Sequence, residues 1–91
     1  MTPNEFLKDA KTYLRMPDGV TVYDEEVLGL IESALSSLAV AGITGAKRPL
    51  VSAYVNTYVR LGMLHDAAPT FRQSETERLR QIINQLTYGG A

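Results

Sequence analysis

The stretch Glu5-Phe6-Leu7-Lys8-Asp9-Ala10-Lys11-Thr12-Tyr13-Leu14-Arg15-Met16 is followed by Pro17-Asp18-Gly19 and then by Asp24-Glu25-Glu26-Val27-Leu28-Gly29-Leu30-Ile31-Glu32-Ser33-Ala34; its reading decides the fold class. Phe6, Leu7, Ala10, Tyr13 and Leu14 recur at the spacing of one helix face. Pro17 disfavours the helical conformation at Met16, and Asp18-Gly19 supplies a turn. Upstream, Thr2-Pro3-Asn4-Glu5 reads as a capping box, with Thr2 accepting from a free amide and Glu5 reaching back. Pro3 suits the first helical position, where no amide donor is needed.

The same punctuation continues outward. Val20 to Tyr23 is a short β-branched connector, expected to set Val22 or Tyr23 against the core. Asp24 falls at or near the N-cap of a second helix, with Glu25 and Glu26 in the first turn, where free amides favour negative charge. Val27, Leu28, Ile31, Ala34, Leu35 and Leu38 make its buried stripe, Leu30 and Val40 broaden it, and Gly42 ends it. A loop from Ile43 to Arg48 leads to Pro49, which opens a third helix. There Leu50, Val51, Ala53, Tyr54, Val55, Tyr58, Val59 and Leu61 leave little polar surface, so that helix is predicted to be largely buried. Gly62 weakens its end. His65 to Gln73 reads as a loop centred on Ala68-Pro69. Ser74-Glu75-Thr76-Glu77 is a second capping box that opens a fourth helix, striped by Leu79, Ile82, Ile83 and Leu86 and closed by Gly89-Gly90. The expectation is an all-α fold, a small bundle of about four helices, with residues 1–91 forming one domain.

Composition narrows the function classes. A chain of 91 residues with 45% hydrophobic content can build a core, though a thin one, and so short a chain often gains stability by burying surface in an oligomer. Nine basic and ten acidic residues leave a formal net charge of -1, which argues against a dedicated nucleic-acid binder or a polybasic membrane anchor. The absence of cysteine excludes disulfides, thiolate metal sites and a cysteine nucleophile. No basic region precedes an apolar run at Met1, and no apolar stretch is long enough to span a bilayer. The expectation is a soluble protein made in the cytoplasm.

Little in the chain carries chemistry. His65-Asp66 is a pair that orients an imidazole in base catalysis, but no motif places a nucleophile beside it, and a loop histidine near a helix C-terminus is the plainer reading. Asp24, Glu25, Glu26 and Glu32 lack the turn glycine and alternating oxygen ligands of a calcium loop, and helix-start electrostatics explains the first three. No phosphate-binding glycine loop, zincin helix or nucleophile elbow is present. No catalytic residue, cofactor or metal is therefore expected.

What remains is surface. Lys8, Lys11 and Arg15 share a helix face away from Phe6, Leu7 and Leu14. They read either as a patch facing DNA or an acidic partner or, more plainly, as a solvated face. Charge is also segregated: Asp18 to Glu32 carries acids and no bases, whereas Lys47, Arg48 and Arg60 are bases. Such segments can supply the two complementary surfaces of a head-to-tail ring, pair within one subunit, or stay solvated. Tyr54 and Tyr58, one turn apart, are core candidates that also suit an interface. The candidate interface set is Tyr54, Tyr58, Glu25, Glu26, Lys47, Arg48 and Arg60.

The order of these elements resembles the phage head–tail connector (head-completion adaptor) family. The resemblance rests on Leu7-Lys8 through Leu14-Arg15, on Val27-Leu28-Gly29-Leu30-Ile31-Glu32-Ser33-Ala34 after an acidic helix start, on Pro49, Ala53 and Tyr58-Val59-Arg60, and on Leu79 to Leu86. Gly29 and Ser33 depart from the more helix-favouring residues usual there. The resemblance implies a non-catalytic adaptor that forms a ring beneath the portal and joins it to the next connector or tail protein. DNA would pass through the ring without sequence-specific binding, and the protein would be made in the host bacterial cytoplasm and reside at the head–tail junction of the virion. The alternative is a small helical DNA-binding or regulatory protein. Against it, the connection from Gly42 to Arg48 is longer than a helix-turn-helix turn, and the third helix is too apolar to read base edges.

Overall fold

A computed structural model describes residues 1–17, 19–64 and 68–88. It contains α1 (Asn4–Tyr13), α2 (Asp24–Val40), α3 (Pro49–Met63) and α4 (Pro69–Tyr88), and no strand among the described residues. The helices form a slab of 37 × 31 × 18 Å. As its apolar sequence predicts, α3 is the centre: it packs on α1, α2 and α4, and α1 also packs on α2. Five of its residues are buried, Val51, Tyr54, Val55, Thr57 and Val59. Around them gather Phe6 and Ala10 from α1, Val27, Ile31, Ala34 and Leu38 from α2, Ile43 from the loop, and Ile82 and Leu86 from α4. Each fully enclosed Phe6, Ile31 or Leu38 side chain contributes about 1.5–3 kcal/mol relative to exposure.

The helix ends follow local chemistry closely. At the start of α1 the Thr2 amide donates to Glu5 Oε2 at 2.9 Å. This is the Glu arm of the predicted capping box. Pro3 already has helical dihedrals (φ -57, ψ -36), and the helix has no side-chain cap bond at its N-cap. The end of α1 comes sooner than Pro17 requires. Arg15 adopts φ 61, its amide donates to the Thr12 carbonyl at 3.0 Å, and the Met16 amide donates to the Lys11 carbonyl at 2.9 Å. These two bonds make a Schellman motif with arginine in the left-handed position. The end of α2 repeats the motif with the residue that favours it. Gly42 has φ 83, and Ile43 donates to the Leu38 carbonyl at 2.8 Å. Ile43 itself turns into the core.

Three expectations are corrected. First, α4 begins at Pro69, not at Ser74. The Ala68 carbonyl accepts from the Arg72 amide at 3.0 Å, so Ala68 is the N-cap and Pro69 holds the first position, where its missing donor costs nothing. Ser74 to Glu77 therefore lies inside the helix. Second, the connector does not bury its apolar side chains: Val22 is 78% exposed and Tyr23 is 48% exposed. Third, Val40 is 90% exposed and does not extend the stripe of α2. It occupies the last helical position, where α2 ends. The expectations for Asp18, His65-Asp66 and Gly89-Gly90 lie outside the described residues.

Gly62 has a different role from the one its propensity suggests. It lies within α3, and a Cβ built there would stand 2.6 Å from Leu30 Cδ2. The missing side chain lets α2 and α3 approach at that turn.

Candidate functional site

The charged residues sort into those that close the subunit and those that face outward. Lys11 belongs to the first group. Its Nζ lies 3.0 Å from Asp24 Oδ1, with side-chain exposures of 8% and 28%. Asp24 Oδ1 has no conventionally angled hydrogen bond, so the contact acts chiefly through charge. The predicted basic face of Lys8, Lys11 and Arg15 is corrected accordingly. Lys8 and Arg15 are exposed, Lys11 is turned inward against α2, and Arg15 lies beyond the end of α1.

Lys47 also points inward to its own subunit. Its Nζ donates to the Glu5 carbonyl at 3.1 Å and to Asp9, and it stands 5.4 Å from the centre of the Phe6 ring. It clamps the α2–α3 loop onto the first turns of α1. The N-terminal amine reaches the Gly45 carbonyl at 3.5 Å beside it. Glu26 and Arg48 are each engaged as well. Much of the segregated charge is thus spent within one subunit, while Glu25 remains on the surface.

Tyr54 and Tyr58 stack in a tilted pair with ring centres 6.1 Å apart. Tyr54 is 6% exposed and belongs to the core. Burial pushes its phenol above the ordinary tyrosine value. A hydrogen bond with Ser37 opposes that rise, and the neighbouring Tyr58 adds to it. Tyr58 is half-buried and opens onto a groove of about 380 Å³ between α2 and α4, floored by α3 and lined by Leu30, Leu61, Gly62 and Leu79 with Arg72 and Thr76.

Arg60 is the most distinctive cation. Its guanidinium lies 5.9 Å from the Tyr13 ring of α1 and 5.2 Å from the Phe71 ring of α4. These cation–π contacts link α3 to α1 and to α4. No carboxylate pairs with it among the described residues. Beside it opens a cleft of about 610 Å³ lined by Tyr13, Leu14, Arg15, Arg60 and Leu64. Arg72 donates to the Leu64 carbonyl, which fixes the start of α4 against the end of α3. The parts played by Phe71 and Arg72 are hidden in the sequence, because both precede the capping box that marks a helix start. A lone phenylalanine just after Pro69 is the one signal of an earlier start.

No three His, Cys, Asp or Glu side chains come together as a metal site among the described residues, and no helix there is long and apolar enough to cross a membrane. The side chains that the helices bring together form ion pairs, a ring-stacked cation and open grooves. Residues 6–88, which include most of α1 and all of α2, α3 and α4, match the family described as "Phage connector protein", and the chain belongs to that family. Phage connectors are structural components of the virion. No curated protein and no solved structure matches the chain.

Proposed function

We propose that this protein is a head-completion adaptor, a single connector domain that assembles as a homo-oligomeric ring beneath the portal. In this reading it links the DNA-filled head to the next connector or tail protein, at the head–tail junction, after synthesis in the bacterial cytoplasm. DNA passes through the ring without being read, and the protein catalyses nothing. The observation that carries the reading is the family match over residues 6–88, together with the same four-helix order in the fold. The enclosed position of α3 weighs against the DNA-reading alternative, since a recognition helix must present polar side chains to a groove.

Light scattering of the full chain over a wide concentration range, with and without purified portal rings, tests this function. A ring-sized species, alone or only on the portal, is the expected result. A protein that stays monomeric and ignores portals overturns the reading. Salt-sensitive binding of duplex DNA by that monomer would support the regulatory alternative instead.

A further inference from the structure

The cleft beside Arg60 holds two guanidiniums and no carboxylate among the described residues. Arg60 lies within cation–π distance of the Tyr13 and Phe71 rings, which favours its position at the cleft. Arg15 stands exposed on the rim, presented beyond the helix by its left-handed backbone. The rest of the lining among the described residues is apolar, from Leu14, Leu64 and the Tyr13 ring. A fitting occupant therefore carries a carboxylate next to apolar side chains. Planar guanidiniums take a carboxylate through paired, directional donors, and such bonds strengthen where neighbouring side chains exclude water.

The chain presents that chemistry elsewhere on its own surface. Val22 is 78% exposed and Tyr23 is 48% exposed. Exposed Glu25 follows them in the first turn of α2, with no ion pair among the described residues. Asp24, between them, is already held by Lys11. Among the described residues, the Val22–Glu25 knuckle thus shows two apolar side chains and one unpaired acid, matching the apolar walls and unpaired bases of the cleft. The cleft and the knuckle are built from different residues, as a head-to-tail contact requires.

We infer that the Arg15–Arg60 cleft receives the Val22–Glu25 knuckle of a second copy of this chain, an inference that rests on the self-assembly in the function proposed above. The Glu25 carboxylate meets the two guanidiniums, and Val22 and Tyr23 cover Leu14 and Leu64.

The test is a charge swap in the full chain. Arg15→Glu and Glu25→Arg are compared singly and together, because neither alters the Tyr13–Arg60–Phe71 stack. Helix content by circular dichroism confirms that each variant is folded. Self-association is followed by light scattering, with and without portal rings. Each single variant is expected to weaken it at least about tenfold, and the double variant to recover most of that loss. The wild-type contact should also weaken with salt. Assembly that is unchanged by both single variants overturns the contact while leaving the ring intact. Self-assembly that survives Arg15→Glu while portal attachment is lost overturns it too, by assigning the cleft to a different acidic protein. A wild-type chain that never self-associates, with portals or without, overturns both the contact and the ring.

Discussion

Lys11 Nζ lies 3.0 Å from Asp24 Oδ1 and joins the last turn of the amino-terminal helix to the first turn of the second. The pair thus bridges the two helix ends that the connection between α1 and α2 joins. Lys11 is 6% exposed as a whole residue, so its ammonium has little water to return to when its partner is removed.

Lys11→Ala is therefore expected to destabilise the fold by about 1–3 kcal/mol, since it strands a half-buried carboxylate. Asp24→Ala should cost a similar amount, and the double variant less than the sum of the two. Urea denaturation of the four proteins measures the coupling. Strict additivity would show that the pair contributes nothing.

The two Schellman motifs make opposite predictions for the two residues that occupy the same position. Arg15 holds φ 61 with a side chain that disfavours it, whereas Gly42 holds φ 83 without strain. Arg15→Gly is expected to raise stability by about 1 kcal/mol, and Gly42→Ala to lower it by about the same amount. Thermal or urea unfolding of each variant gives the sign, and a destabilising Arg15→Gly would contradict the strain argument.

Leu30 and Gly62 are coupled by contact. A Cβ at position 62 falls 2.6 Å from Leu30 Cδ2. Alanine in a helix interior is favoured over glycine by about 1 kcal/mol, and displacing Leu30 offsets that gain. Gly62→Ala should be close to neutral in the wild-type chain and stabilising in a Leu30→Ala background, with an interaction energy of about 1 kcal/mol. Equal effects in both backgrounds would dismiss the contact.

Tyr54 gives the fold an alkaline limit. Burial raises its phenol above the ordinary value of 10.0, against the lowering effect of Ser37. The folded state therefore holds the proton more tightly than the unfolded state. The associated stability is fully present below the unfolded value and is lost as pH rises through the folded one. Denaturation midpoints of wild type should fall as pH rises above about 10, and those of Tyr54→Phe should fall less. Parallel curves for the two proteins would remove Tyr54 as the cause.

Much of the architecture is legible along the chain because its signals are local. Apolar spacing marks Phe6 and Ala10 on the first helix, and Val27, Ile31, Ala34 and Leu38 on the second. Pro49 marks the start of the third, and Gly42 the end of the second. The fourth helix starts earlier than its cap sequence indicates, for a physical reason. Ser74 to Glu77 is a valid cap sequence, but the first turn from Pro69 gains Phe71 against Arg60 and Arg72 against the Leu64 carbonyl. Packing outweighed the local cap.

The candidate surface was much less legible. Lys8, Lys11 and Arg15 look equivalent in sequence, yet among the described residues only Lys11 finds a carboxylate, because that carboxylate arrives from another helix. Lys47 and Arg60 look alike as surface bases, yet one is paired with Asp9 and the other is stacked between two rings. The sequence by itself determined helix type, helix order and the central burial of the third helix, because these depend on periodicity and end chemistry within a few residues. Only the tertiary structure decided which charges are neutralised and which stay available to a partner, because that depends on groups far apart in the chain meeting within a few ångströms.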